Sequence, residues 1–168
     1  MTDYLNRLPR DLYTAQQVRL LDKIAIEQFD IPGFTLMQTA ASVAFDALLE
    51  NWPQTRHVQV FAGSGNNAGD GYLLAALAKE QGLSAEVIQL SDPEKLSGDP
   101  RQAWQWALER QVLMTAFVDI DLEHEKDHAH PVVVDALLGT GLDREVGGDY
   151  ARAINFINAA DRPVLAID

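Results

Sequence analysis

The stretch His57-Val-Gln-Val-Phe-Ala62, followed directly by Gly63-Ser64-Gly65-Asn66-Asn67-Ala68-Gly69-Asp70-Gly71, decides the fold. Its first six residues read as a strand, Gly63 to Gly71 as a glycine-rich loop, and Tyr72 to Gln81 as a helix stopped by Gly82. The pattern then recurs. Ala85 to Leu90 reads as a strand, Ser91 to Gly98 as a loop, and a helix carrying Trp104 and Leu108 starts at Asp99 or Pro100. Gln111 to Met114 reads as a short strand. Pro131-Val-Val-Val-Asp135 is a buried strand by its β-branched run, Gly139 to Gly148 a second glycine-rich loop, Tyr150 to Ala160 a helix, and Pro163 to Asp168 a last strand. Strands alternating with helices at this spacing predict βαβ units. The fold class expected is therefore α/β: a three-layer αβα arrangement around a Rossmann-like, doubly wound parallel sheet.

Two helices precede this series and are expected across one face or edge of the sheet. Thr14 is an N-cap with Gln17 three residues on, a capping-box pattern, and Val18, Leu21, Ala25 and Phe29 share a helical face. Ile31-Pro32-Gly33 breaks that helix. The second runs from about Thr35 to Glu50, with Met37, Ala40, Ala41, Ala44 and Leu48 on one face. Trp104 is expected in the core and Trp106 at its rim. The chain reaches Asp168 directly after an apolar strand, so the domain spanning 1–168 is expected to be incomplete at its C-terminal end.

With 168 residues, 47% hydrophobic and 23% charged, the chain is of a size for one domain and too apolar to be largely disordered. It has no cysteine, which excludes disulfides, thiolate nucleophiles and Cys-ligated metals. Thirteen Lys and Arg against 25 Asp and Glu give a net charge of −12, so nucleic-acid backbones and anionic membranes are disfavoured partners. The first residues lack a secretory signal, and the uncharged run Ile31 to Phe45 is too short and polar to span a bilayer. A cytoplasmic location is the expectation.

In open parallel sheets, ligands sit beyond the carboxyl ends of the strands, where the strand order reverses. The chemistry-bearing residues collect there: Gly63 to Gly71 after the first strand, Asp135 and Gly139-Thr140-Gly141 after the Val-rich one, Asp168 after the last. Glycines let backbone approach a ligand, and the helix that follows presents free N–H groups to an anion. An anionic ligand must be held by such local donors against the long-range field of an acidic chain. A structural turn with Asp70 as a cap accounts for one glycine and one asparagine; glycines at 63, 65, 69 and 71 with two adjacent asparagines exceed that. Gly63, Gly65 and Ala68 also satisfy Gly-x-Gly-x-x-Ala, a weak match alone. The ribose-binding acid expected about 20 residues later would sit at the end of the second strand, but Leu90 ends that strand and Ser91 follows, with Asp92 only just beyond; no Tyr-x-x-x-Lys pair is present either, so an ordinary dehydrogenase is poorly supported. Asp135 either caps backbone N–H groups of its own loop or binds a ligand or cation; Asp135, the Asn67 amide and backbone carbonyls together suit a hard ion such as potassium or magnesium and not zinc. His124, His128 and His130 read as a solvated loop and not a metal site.

Three motifs in order, Asn66-Asn67-Ala68-Gly69-Asp70-Gly71, Val134-Asp135-Ala136-Leu137-Leu138-Gly139-Thr140-Gly141 and Ala166-Ile167-Asp168, resemble the YjeF N-terminal domain family, the NAD(P)HX epimerases. Leu36-Met37 with Ala40 resembles its second helix. The resemblance covers nearly the whole chain. It implies an isomerase that interconverts the R and S forms of NADHX and NADPHX, nicotinamide cofactors hydrated at ring carbon 6, alongside a dehydratase that is separate or fused. It assigns substrate contacts to Asn66, Asn67, Ala68, Gly69 and Asp70, to Gly139, Thr140, Gly141, Leu142, Asp143, Arg144 and Glu145, and to Asp168. It places a potassium ion on Asn67 and Asp135. It makes Asp168 an acid–base group, with Lys95, in the loop after the second strand, as its partner. A homodimer is a further expectation.

This sequence departs from the family pattern at Ala68 and Ala41, where glycine is expected. The family also continues past Asp168 with Pro-Ser-Gly, whose serine completes the potassium site. The alternative is a non-catalytic nucleotide-binding or scaffold domain of the same fold, as in related decapping-protein and apolipoprotein-binding domains. Retention of Asn67, Asp135 and Asp168 favours the enzyme.

Overall fold

The computed structural model describes residues 13–120, 131–142 and 145–167. The chain forms two compact units, one ending at Gly33 and the other starting at Phe34. The first contains α1 (Ala15–Phe29). Its capping box forms as expected: the Thr14 hydroxyl accepts from the Gln17 N–H at 3.3 Å, and Gln17 Oε1 accepts from the Thr14 N–H at 2.8 Å. The apolar stripe behaves otherwise. Val18 and Leu21 are exposed, Phe29 is 70% exposed, and α1 buries no residue. A helical stripe is buried only against another element, and none is described within this unit.

The second unit runs from α2 (Gly33–Asn51) through β1 (His57–Ala62), α3 (Asn66–Glu80), β2 (Ser84–Gln89), α4 (Gly98–Glu109), β3 (Leu113–Ala116), β4 (Val132–Ala136), α5 (Gly148–Ala159) and β5 (Val164–Ala166). All five strands are parallel, in the order β3-β2-β1-β4-β5. In β1, Phe61 pairs with Ile88 of β2 on one side and with Asp135 of β4 on the other. The sheet therefore winds outward in both directions from the β1–β4 pair, as the sequence pattern required.

Strand side chains alternate between two cores because successive residues point to opposite faces. Val58, Val60, Ala62, Val87, Val132 and Val134 pack with Met37, Phe45 and Leu48 of α2 and with the small residues of α3 and α4. Phe61, Ile88 and Val133 pack on the other face with Ala153, Phe156 and Ile157 of α5. Helices on both faces make the three layers. β1 is buried almost throughout, including Gln59, which is only 1% exposed. That amide is satisfied: Nε2 donates to Glu86 Oε1 at 2.9 Å, and Oε1 accepts from Arg162. Trp104 and Trp106 do not divide into core and rim. Both are half-buried, and an arginine covers each, Arg101 at 5.4 Å and Arg110 at 3.7 Å from the ring centroids.

One boundary moves by six residues, and this matters for the site. The glycine-rich segment is not all loop: α3 already begins at Asn66, and only Gly63-Ser64-Gly65 turns. The glycines at 69 and 71 are packing positions. A Cβ on Gly71 would lie 2.7 Å from Ala136 Cβ, and one on Gly69 would lie 2.6 Å from Met37 Sδ. They allow α3 to settle between the sheet and α2.

Candidate functional site at the carboxyl ends of β1, β2 and β4

The turn between β1 and α3 lies directly on the end of β4. The Gly63 N–H donates to the Ala136 carbonyl at 3.0 Å, extending the ladder one residue past the strand. A Cβ at Gly63 would sit 2.0 Å from the Leu137 carbonyl oxygen, so no other residue lets the two strand ends approach this closely. Gly65 serves a different need. At φ +85° and ψ −161° it occupies a region open essentially to glycine alone, with nothing within 4 Å of its would-be Cβ. It stands as the N-cap of α3 without a side chain to cap the helix, so the first N–H groups, at Asn66 and Asn67, are left to solvent or a ligand, and the positive end of the helix dipole points beyond the strand ends.

The two asparagines, adjacent in sequence, face different sides because a helix turns about 100° per residue. Asn67 reaches toward β4: its Nδ2 donates to the Leu138 carbonyl at 3.1 Å, which leaves Oδ1 available. Asn66 lines a cleft on the β2 side, described below. Asp135 ends β4 half-buried. Its Oδ1 accepts from the Leu137 N–H at 3.0 Å, so the loop-capping role forms, and among the described residues its second carboxylate oxygen has no hydrogen-bond partner. Asn67 and Asp135 thus both engage the segment 135–138, from opposite ends. No group of three or more His, Asp or Glu placed to hold a metal occurs among the described residues.

The other residues expected at the site fall around this centre. Gly139 continues from Leu138 half-buried, and Thr140, Gly141, Leu142 and Glu145 are exposed in the loop that follows. Asp70 is half-buried in the second turn of α3. Ala68 and Gly69 are buried, Ala68 at 0% exposure, and the Gly69 N–H bonds the Gly65 carbonyl, so neither presents a side chain or an open N–H to a ligand. Asp143, Arg144 and Asp168 lie outside the described residues, as do His124, His128 and His130. Lys95 sits in a short 3-10 turn, Pro93–Lys95, between β2 and α4.

Sequence reasoning did not single out two tyrosines that hold the strand ends together. Tyr150, in the first turn of α5, bridges by its hydroxyl to Ser91 at the end of β2, 2.8 Å away. Its ring lies over Gly63, where an added Cβ would meet Cε1 at 3.1 Å, so it straps the strand ends from the α5 face. Tyr72 of α3 is 1% exposed and accepts from Gln89 Nε2 at 3.1 Å. Burial pushes its phenol above the ordinary range near 10, with the hydrogen bond from Gln89 acting in the opposite sense. Tyr150 comes from a distant helix and carries no local sequence signal, whereas Tyr72 directly follows the glycine-rich segment on α3 and reads there as an ordinary core residue.

A glycine turn, an uncapped helix N-terminus and a strand-end carboxylate meet where a doubly wound parallel sheet reverses its order, so the class is a Rossmann-like α/β domain with its ligand crevice at the switch point. Comparisons with known proteins narrow the class. The profile described as YjeF-related protein N-terminus matches residues 33–168, and the chain belongs to that family. It is 38% identical over 157 residues to the bifunctional NAD(P)H-hydrate repair enzyme Nnr of Coxiella burnetii, covering 94% of this chain and 31% of that protein. It is 33% identical over 155 residues to the NAD(P)H-hydrate epimerase of Limosilactobacillus fermentum, covering 92% of this chain and 72% of the relative. The solved yeast structure YNL200c superposes with a TM-score of 0.83 at 20% identity, over 94% of this chain and 70% of that one, and shares its fold. The chain thus spans about a third of the bifunctional relative's length and some seven-tenths of the others'. No helix among the described residues is long and apolar enough to cross a membrane.

Proposed function

We propose that this chain carries the activity for which its relatives are named, epimerisation of NAD(P)H-hydrates, with the R and S forms of NADHX and NADPHX as substrates. The observation that supports this reading is the gathering of Asn67 and Asp135 on segment 135–138, beside the open N-terminus of α3. A crevice built this way offers backbone donors to a phosphate-bearing cofactor and oxygen acceptors to a cation. The bifunctional relatives support a dehydratase as the functional partner, fused or separate.

The chemistry asked of the site is modest. The reacting carbon bears a hydroxyl and a ring nitrogen. Inverting it requires the C–O bond to break with a proton delivered to oxygen, or the ring to open, and the reverse step to occur on the opposite face. The family motif assigns the giving and retrieving of that proton to the carboxylate of Asp168. Potassium fits the donors at hand. Asn67 uses its amide nitrogen on Leu138 and so turns its oxygen outward, and Asp135 keeps one oxygen unengaged. These two residues would hold the ion, which supplies a fixed positive charge against the anionic substrate.

The test is to incubate the full-length protein with R-NADHX, with and without potassium, and follow the R-to-S ratio chromatographically. Potassium-stimulated conversion is expected. A well-folded protein that leaves the ratio unchanged refutes the enzyme and favours the scaffold reading.

A further inference from the structure

A cleft of about 350 Å³ opens on the β2 side of the β1–α3 turn, lined on one wall by Ser64, Gly65 and Asn66 and on the other by Ser91, Asp92, Lys95 and Ser97. It adjoins the crevice of the epimerase reading through Asn66 and Lys95, while Asp92 and the serines at 91 and 97 have no part in that reading. Its volume lies at the lower end of the range for small-molecule sites. A second cleft of about 370 Å³, at the opposite end of the sheet between Trp52, Pro53 and Pro163, has no charged lining residue and so offers nothing to an anion.

We propose that the β2-side cleft seats the adenosine ribose of the substrate, and that Asp92 and Lys95 read its 2′ position. This inference rests on the epimerase reading and adds the part of the substrate that the reacting ring does not account for. The first support is topological: a dinucleotide lies across the switch point with one half on either side, and its adenosine ribose meets the residues just beyond the second strand. The second is the divergence of Asn66 and Asn67, which gives each half of the crevice one amide from the same helical turn.

The third support is the pairing of the two charged residues. Asp92 Oδ1 accepts from the Glu94 N–H at 3.0 Å, which fixes the carboxylate in the cleft wall. Its Oδ2 lies 3.9 Å from Lys95 Nζ. That is too long for a charge-assisted hydrogen bond, which settles near ~2.8 Å, yet short enough for both groups to reach one ligand atom. The Lys95 side chain is 83% exposed, so its ammonium is not committed to the protein. Arg101, by contrast, is held by the carbonyl and carboxylate of Glu94. A free 2′-hydroxyl donates to Asp92. A 2′-phosphate is repelled by Asp92 and attracted by Lys95. The pair therefore admits both forms of the cofactor and sets the balance between them.

The test uses the full-length protein, unaltered and as Lys95→Gln and Asp92→Asn, with R-NADHX and R-NADPHX as competing substrates. Titration of 2′,5′-ADP and 5′-AMP gives a readout independent of turnover. Lys95→Gln is expected to lower the NADPHX-to-NADHX ratio of kcat/KM about tenfold, with the loss residing in KM, and to weaken 2′,5′-ADP relative to 5′-AMP by a similar factor. Asp92→Asn, which keeps the acceptor for the Glu94 N–H, is expected to shift both ratios the other way. Equal losses with both substrates, residing in kcat, would overturn the proposal and return Lys95 to the proton-transfer role the family resemblance gives it. Unchanged discrimination between 2′,5′-ADP and 5′-AMP in both variants would also overturn it. If the unaltered protein turns over neither substrate, the epimerase reading fails by itself, and the nucleotide titrations still decide the cleft.

Discussion

Replacing Gly63 by alanine tests the join at the centre of this site. The added Cβ would lie 2.0 Å from the Leu137 carbonyl oxygen and 2.9 Å from its carbon. A carbon–oxygen contact settles near ~3.3 Å, so β1 and β4 must part by about 1.3 Å at their ends. The 3.0 Å bond from the Gly63 N–H to the Ala136 carbonyl does not survive that separation. Overpacking costs about 1–3 kcal/mol, and a broken buried backbone bond about 1–3 kcal/mol. Loss of glycine's freedom in the unfolded chain returns roughly 0.4–1 kcal/mol. The net is a destabilisation of roughly 1–5 kcal/mol, centred near 3. For a chain of this size that corresponds to a Tm lower by about 6–12 °C, read by thermal and urea unfolding. Gly63 has no positive φ, so backbone strain adds nothing and close approach is the whole effect. A Gly63→Ala protein that melts within 2 °C of the parent would refute the strand-end contact and the crevice built on it.

Gly65→Ala separates conformation from contact. The space around it is open but its backbone is not one an alanine adopts, so a loss of about 1–3 kcal/mol is expected in urea unfolding, with no rescue from any neighbouring large-to-small change. Asp135→Asn keeps an oxygen for the Leu137 N–H and removes only the charge. Stability should hold within about 1 kcal/mol, while half-saturation by potassium in the epimerase assay moves up roughly tenfold or more; an unchanged titration counts against the ligand assignment. Tyr72 favours the folded state by keeping its proton there, so its contribution is complete below pH 10, the unfolded value, and is lost as pH rises through the raised folded value. Tyr72→Phe should therefore flatten the decline of stability above pH 10 in urea midpoints, and an identical alkaline slope in the two proteins contradicts a buried neutral phenol.

The sheet was legible in the sequence because a buried parallel strand is written as a continuous apolar run. Val132, Val133 and Val134 must be apolar on both faces, and so must Val58 and Val60. The start of α3 was not legible. Asn, Gly, Asp and Gly favour turns locally, and only the tertiary need to pass Met37 and Ala136 without a side chain explains helical glycines at 69 and 71. The helix of α1 was legible from its periodic face and capping box, but a periodic face states only that a helix can be buried, while a partner decides whether it is. The motifs singled out Asn67 and Asp135, which both bond the segment 135–138. They could not announce Tyr150 or the Asp92–Lys95 pair, whose meaning comes from the distances between loops.

Nine of the fifteen residues of α3 are buried, most of them glycine and alanine, and the helix is wedged between the sheet and its neighbouring helices. Small side chains have almost no rotamers to lose or exchange. A ligand docking at the head of this helix would meet a surface already frozen in shape, with little of its binding free energy spent on ordering the host. The same packing makes α3 intolerant of growth: a methyl group added at Gly69 presses on α2 and one at Gly71 presses on the sheet.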